Sequence, residues 1–371
     1  MHIVMFYHSL ISDWNHGNAH FLRGVVTELQ ARGHSVAVYE PRDGWSLQNL
    51  RQAHGPEAIE RFHRRLPTLR SAFYELDSLD LDRALDNADL VLVHEWSPHE
   101  LVARIGRHRA HRGRYRLLFH DTHHRTVSDP SAMADYPLDA YDGVLAFGEA
   151  VRERYQAAGW SRQAWTWHEA ADTRIFHPMP QIDTEADLVW IGNWGDNERS
   201  EELQEFLLEP VRQLKLSANL HGVRYPESAL VALRAAGIGY RDWLPNFEVP
   251  HAFARHRFTV HVPRRPYVKT LPGIPTIRVF EALACGIPLV SAPWQDSEGL
   301  FRPGRDYLVA NNGQSMQKHL RALKHEPALG EELARHGLST IQQKHTCAHR
   351  VDELLAIYRQ LDSSELKEQT A

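Results

Sequence analysis

Cysteine is nearly missing from this sequence: Cys285 and Cys347 are the only two among 371 residues. Two thiols cannot build a disulfide framework, and neither has a neighbour at CxxC metal spacing. A reducing compartment fits this usage. Long apolar runs are missing too, so no stretch of the sequence has the length of a bilayer span. The opening MHIVMFYHSL has no basic n-region and leads straight into a strand pattern, so no secretory leader is expected and a cytoplasmic location is. Charge of one sign is also in short supply. The 42 Lys+Arg against 47 Asp+Glu leave a formal net charge of −5, which gives no general pull toward nucleic acid or acidic membrane. No short-period repeat is present. There is no GxGxxG, so the dinucleotide fingerprint is lacking.

What the chain does have is alternation of strand and helix patterns, with 43% hydrophobic residues, enough for ordinary packed cores. The run HIVMFY (His2 to Tyr7) reads as a strand buried on both faces. Phe21 to Ala31 carries Leu22, Val25, Val26 and Leu29 on one helical face, and Gly33 stops it. Ser35 to Tyr39 is the next strand, which makes a βαβ unit and predicts a parallel sheet. Residues 41–80, rich in Arg, read as a long connection with one or two helices. Strands follow at Asp89 to His94, Tyr115 to Phe119, Gly143 to Phe147 and Gln163 to Trp167. Asp172 to Thr184, with two prolines, reads as a linker. The pattern then restarts: strands at Asp187 to Ile191, Ala218 to His221, Phe258 to Val262 and Pro288 to Ser291 alternate with helices at Glu201 to Lys215, Glu227 to Ala236 and Pro275 to Ala284. From Ser315 onward the sequence is helical and polar, and its last ten residues are expected to be disordered. The expected domains are 1–180, 181–354, and a C-terminal helix or tail at 355–371 that packs back on the first.

Ligands of open parallel sheets sit beyond the carboxyl ends of the strands. The loop after the first strand, SDWNHGNAH, offers Gly17 for a sharp turn ahead of a helix whose N-terminal amides suit an anion; an ordinary polar connection would read the same way. In FHDTHHR, His120 leaves a strand end, and Asp121, His123 and His124 follow. That spacing matches no common zinc motif, so no metal site is expected, and polar loop histidines are the plain alternative. In IGNWGDN, Gly192, Asn193 and Gly195 follow a strand, and the glycines permit close approach to a phosphate. The richest stretch is RRPYVKTLPGIPTIRVFEALACGIP. Arg264, Arg265 and Lys269 precede a Pro/Gly loop, Thr276 can cap the helix that follows, and Arg278 and Glu281 share its first turns. Cations at a helix start suit a diphosphate, and a carboxylate one turn on can hold a ribose diol. A solvated Arg–Glu pair is the simpler reading of the same spacing.

IRVFEALACGIPLVSAPW resembles the nucleotide-binding segment of GT-B glycosyltransferases. It is most similar to the CgeB-like (spore-maturation-protein) branch, itself similar to glycosyltransferase family 4. DWNHGNAHFLRGVVTELQARGHSV, FHDTHH, HEAADTRIFHP, VWIGNW and HTCAHRVDELL agree in order, so the likeness runs along nearly the whole chain. It implies a GT-B fold: two Rossmann-like α/β domains whose parallel sheets face a central cleft. It also implies a hexosyltransferase-like enzyme using a nucleotide-diphosphate sugar as substrate, with no cofactor and no metal. Glu281 would bind the donor ribose. Arg278 and Thr276 would lie near the diphosphate, Arg199 or Lys269 would add charge, and Gly192 and Asn193 would line the donor side. His120 matches the histidine near the transferred sugar, and Gly17 would sit by the donor phosphates. One departure stands out. The family carries a second glutamate eight positions before the one matched by Glu281, and that place is Gly273. A non-catalytic nucleotide- or glycan-binding protein and a nucleotide-sugar epimerase are the alternatives. The acceptor (glycan, lipid, protein or small molecule) is open. Trp14, Trp45 and Trp96 are available to stack on a sugar.

Overall fold

The computed structural model describes residues 1–180 and 183–370, with side chains described through Ser363. The chain forms two compact units. One runs from Met1 to Glu169 and takes in the chain from Cys347 onward; the other is Ala170–Thr346. The boundaries expected at 180/181 and 354/355 thus differ from these divisions by about ten residues. The linker expected at Asp172 to Thr184 has no helix or strand among its described residues, and Gln181 and Ile182 lie outside them.

The N-terminal unit is a seven-stranded sheet in the order β3-β2-β1-β4-β5-β6-β7. Its strands are β1 (His2–Phe6), β2 (Ser35–Pro41), β3 (Ser71–Tyr74), β4 (Leu90–His94), β5 (Arg116–Asp121), β6 (Gly143–Ala146) and β7 (Ala164–Thr166). Every neighbouring pair is parallel; Ile3, for example, faces Val36 on one side and Leu90 on the other. Ile3 to Phe6 and all of β4 are shut off from solvent, as continuous apolar runs require of strands covered on both faces. Helix α1 (Ala19–Ala31) buries Leu22, Val25, Val26 and Leu29, each worth roughly 1.5–3 kcal/mol. β3 went unforeseen because SAFY is a four-residue edge strand, half exposed, inside an Arg-rich stretch.

The C-terminal helix, Cys347–Thr370, belongs to this unit. Arg32 reaches Asp352 at 2.5 Å and the Ala348 carbonyl at 3.1 Å, and the buried Trp167 indole donates to the Arg350 carbonyl at 2.8 Å. The tail expected to be disordered is helical through Thr370, since SELKEQ is made of good helix formers that need little apolar content. Ala371 lies outside the described residues.

The C-terminal unit repeats the plan with six parallel strands in the order β10-β9-β8-β11-β12-β13. These are β8 (Ala186–Ile191), β9 (Ala218–His221), β10 (Ile238–Tyr240), β11 (His256–His261), β12 (Leu289–Ser291) and β13 (Leu308–Val309). β10 and β13 are edge strands of three and two residues, too short to show a period. Leu188, Trp190, Phe206, Phe258 and Val290 form the centre of its core. Helix α2 (Ile277–Cys285) buries Ile277, Val279, Phe280, Ala282, Leu283 and Ala284. It ends at Gly286 in the left-handed region, φ 67°, where a side chain would be strained.

In both sheets the strand order reverses at one place, between β1 and β4 and again between β8 and β11. Loops leaving two such strands part in opposite directions, which opens a crevice at their carboxyl ends. Both candidate sites lie there.

Candidate functional site

At the first switch point the loop after β1 is held rigidly. The Arg23 guanidinium donates to the Leu10 and Ile11 carbonyls, both at 2.7 Å, and pairs with Asp13 at 2.8 Å. From the other side the buried Glu40 carboxylate accepts from the Leu10 and Ile11 amides at 2.8 and 3.1 Å and from Ser9 Oγ at 2.8 Å. The left-handed residue of this loop is Asn15, φ 50°. Gly17, expected to supply the turn, has no positive φ; it stands directly before α1.

The loop brings His16 to His94, ring centres 6.5 Å apart, and Asn18 to Thr122. His120 ends up buried, its Nδ1 hydrogen-bonded to Tyr7 Oη at 2.5 Å and its Nε2 without a partner among the described residues. Burial pushes its pKa down to about 3, so the ring is neutral. His94 lies edge-on to it, ring centres 5.7 Å apart, and stacks on Tyr7. Thr122 Oγ1 accepts from Asn18 Nδ2 at 2.5 Å, bonds His94 Nε2 at 3.0 Å and donates to Glu95 at 3.4 Å. Two carboxylates share this floor. Burial raises Glu95 well above its ordinary range although Arg125 pairs with it at 3.4 Å. Burial also lifts Asp121 to about 6, although the His123 amide and Tyr155 hydroxyl donate to it. Among the described residues no three or more His, Cys, Asp or Glu are placed to hold a metal ion.

The second switch point is lined by guanidinium groups. Arg199 stacks on the Trp190 indole, 5.1 Å from the ring centre, and donates to the Val262 carbonyl at 3.0 Å and to Asn193 O and Oδ1 at 2.7 and 2.8 Å. A Cβ at Gly192 would lie 3.3 Å from Arg199 Nη2 and one at Gly195 would lie 2.7 Å from its Cγ. The room at Gly195 is therefore taken by Arg199, and that at Gly192 by the Trp190 ring, 3.0 Å away, together with Arg199. Arg264 reaches the same Asn193 Oδ1 at 3.1 Å and pairs with Glu198 at 2.6 Å. Burial, together with the nearby charges of Arg264 and Arg278, draws Arg199 down to about 10, so it stays charged at neutral pH. The three arginines thus form one cationic group.

Thr276 precedes α2, but its hydroxyl caps nothing; it bonds His261 Nε2 at 3.1 Å. The protons there can be assigned. Ser291 Oγ gives its hydrogen to the Ala292 carbonyl, so it must accept from His261 Nδ1 at 2.9 Å. Burial holds His261 neutral, its pKa down to about 3, so Nε2 is a bare acceptor and Thr276 donates to it. Glu281 is fully buried, and Arg278, one quarter exposed, clamps it. Lys269 is exposed at the end of a five-residue helix.

Gly273 has φ 86°, and a Cβ there would come within 2.6 Å of Ser297 Oγ and 2.8 Å of Glu298 Cγ. A glutamate at this position would have to take a left-handed backbone and displace the Ser297 and Glu298 side chains. Of the expected residues, then, His120 ends its strand at the first switch point, and Gly17 lies in the loop that leaves β1. Gly192, Asn193, Arg199, Thr276, Arg278 and Glu281 gather at the second. Tyr7, His94 and His261 went unforeseen: each sits in or just past a strand where nothing in the sequence separates a site residue from a core residue.

This is the GT-B arrangement of two parallel-sheet α/β domains, and solved structures share it. Sucrose-phosphate synthase from Thermosynechococcus elongatus is 13% identical, with a TM-score of 0.67 over 98% of this chain and 100% of that one. An α-glucosyltransferase solved with UDP and a 13-mer DNA is 12% identical, with a TM-score of 0.70 over 97% and 99%. T4 phage β-glucosyltransferase with its UDP-glucose substrate is also 12% identical, with a TM-score of 0.59 over 98% and 100%. More particularly, residues 199–356 match the family model described as glycosyl transferase-like, so the chain carries a glycosyltransferase-like domain across most of its C-terminal unit. No curated protein matches the sequence. No described helix is long and apolar enough to cross a membrane.

Proposed function

We propose that this chain is a glycosyltransferase that moves a sugar from a nucleotide-sugar donor, with the nucleotide held by the C-terminal unit. The observation that carries this is the cationic group of Arg199, Arg264 and Arg278 at the β8/β11 switch point, inside the segment that matches the glycosyl transferase-like model. Departure of a nucleoside diphosphate builds negative charge on phosphate, and fixed cations aimed there stabilise it. Arg278 is the exposed member of the Arg278–Glu281 pair. On nucleotide binding it would turn to the phosphate and release Glu281 to the ribose diol. UDP or UDP-glucose in the neighbouring structures supports this donor class. We propose hexosyl transfer without a metal, by a CgeB-like enzyme of the cytoplasm that takes no nucleic acid. The net charge of −5, with no excess of positive charge, supports the last of these. His120, neutral and buried, would position the sugar by hydrogen bonding rather than titrate.

Calorimetry with UDP, GDP, ADP and TDP tests the proposal. One of them should bind, and Glu281→Ala should weaken it about 100-fold, near 2.7 kcal/mol. His120→Ala should leave that affinity unchanged while lowering turnover of the matching nucleotide sugar. No binding by any of the four to folded protein would refute it. One observation favours a second reading. Gly273 has a left-handed backbone and neighbours that disfavour any side chain where the resemblance calls for a glutamate, which suits a protein that binds nucleotide sugar without transferring it. Donor hydrolysis, even slow, would decide for the enzyme.

A further inference from the structure

We infer that Glu298, on the loop that leaves β12, supplies the carboxylate that position 273 lacks, and that it binds hydroxyl groups on the sugar end of the donor. This rests on the transferase reading and names a residue that selects the donor within it. The starting observation is where Glu298 stands. A Cβ built on Gly273 would lie 2.8 Å from Glu298 Cγ and 3.0 Å from its Oε1. The stem and one carboxylate oxygen of Glu298 thus occupy the place where a side chain of residue 273 would begin. Gly273 leaves that place open, and its φ of 86° is one that glycine adopts without cost.

The two loops are fastened to each other and to the rim of the crevice. The Gly273 amide donates to the Gln295 carbonyl at 2.8 Å, and the Trp294 indole donates to the Ile274 carbonyl at 3.1 Å. His261, at the end of β11, joins both loops to the switch point. One of its ring nitrogens bonds Ser291, the last residue of β12, at 2.9 Å; the other bonds Thr276, the residue before α2, at 3.1 Å. The two carboxylates of the β12 loop have different tasks. Asp296 accepts from the Leu300 and Phe301 amides at 3.0 and 2.7 Å, which closes the loop on itself. Glu298, half-buried, is carried across to Gly273. Chemistry decides which part of a donor it suits. Arg199, Arg264 and Arg278 suit the diphosphate, and Glu281 is paired with Arg278 inside α2. A carboxylate repels phosphate, but accepts strongly from hydroxyl groups. A carboxylate on the loop ahead of the helix is therefore suited to the uncharged, hydroxyl-bearing end of a nucleotide sugar. Position 273 has no carboxylate of its own, yet the loop facing it brings one.

Calorimetry on the full chain tests this with paired ligands: UDP and UDP-glucose, GDP and GDP-mannose, ADP and ADP-glucose, TDP and TDP-glucose. Glu298→Gln keeps the size of the side chain and removes its charge. It should weaken the sugar nucleotide that binds about tenfold and leave the matching nucleoside diphosphate within about twofold. Equal weakening of both members of a pair, which a merely structural residue would give, overturns the inference. So does an unchanged affinity for both, or a diphosphate that binds when none of the four sugar forms does. In each of these cases nucleotide is still bound, so Glu298 falls alone and the transferase reading stands. If no nucleotide binds, both fall.

Discussion

Where β1 meets β4, the crevice holds His16, His94 and His120 over two buried carboxylates; where β8 meets β11, the corresponding place holds Arg199, Arg264 and Arg278. The backbone plan is the same in both units, so the difference lies in the side chains alone. Imidazoles stripped of water lose their charge and become hydrogen-bonding surface, whereas guanidinium groups keep theirs even when desolvated. One crevice is suited to neutral polar groups and the other to anions. A two-substrate transfer needs that division: a charged carrier gripped strongly, and an uncharged partner recognised by geometry.

The comparison is broken most directly at Arg199. Arg199→Ala would leave the Val262 and Asn193 carbonyls without their donor and strip the Trp190 face. The C-terminal unit should lose about 3 kcal/mol, read as a shift in the urea midpoint, while the N-terminal unit keeps its own. Arg199→Lys should recover little of this, since one ammonium cannot serve both carbonyls and the indole face. An equal loss in both units would mean that they do not unfold separately.

Acid sharpens the comparison with a smaller effect. A buried histidine with a lowered pKa binds fewer protons folded than unfolded, so stability is lost as pH falls below about 6.5. A carboxylate with a raised pKa does the opposite, and stability is gained as pH falls through its folded value. In the N-terminal unit His8, lowered to about 4, His16, His34, His63, His94 and His120 are opposed by Glu40, Glu95 and Asp121, all raised by burial. In the C-terminal unit His221, lowered to about 4, His256 and His261 are opposed by Asp296 alone. Each unbalanced proton is worth about 1.4 kcal/mol per pH unit. Six lowered histidines against three raised carboxylates leave an excess of three in the N-terminal unit, and three against one leave an excess of two in the C-terminal unit, so between roughly pH 6 and 4.5 the N-terminal unit should weaken the more steeply. Hydrogen exchange at several pH values, followed by mass spectrometry, would show it; a steeper loss in the C-terminal unit would reverse the charge assignment made above.

Much of this arrangement was legible in the sequence, and the reasons are physical. HIVMF, DLVLVH and DLVWI announced central parallel strands because burial on both faces leaves continuous apolar runs. The Arg278–Glu281 spacing on one helix face put that pair together without any tertiary knowledge. Edge strands such as IGY and LV were silent, being too short for a period. His94 and His261 were silent for another reason. Both end strands whose other residues are core, and only the strand order places those ends at a switch point. Arg199 was read as a ligand-binding cation next to two phosphate-friendly glycines. The structure shows those glycines making room for its own side chain, a contact that sequence spacing does not express.

Gly273 offers the smallest and cleanest test of whether the C-terminal crevice is shaped as described. Its φ of 86° disfavours any side chain, and Ser297 and Glu298 already fill the space where a Cβ would go. Its amide also donates to the Gln295 carbonyl at 2.8 Å, which ties the loop before α2 to the loop after β12. Gly273→Ala should cost about 1–2 kcal/mol, part from the left-handed backbone and part from displacing Ser297. Ser297 is exposed and its hydroxyl is the nearest atom, so Ser297→Gly in the same chain should return part of that loss. The two substitutions should be non-additive because the residues touch. Additive losses by thermal denaturation would mean that backbone strain alone restricts the position. The crowding argued here would then not be what keeps a carboxylate from it.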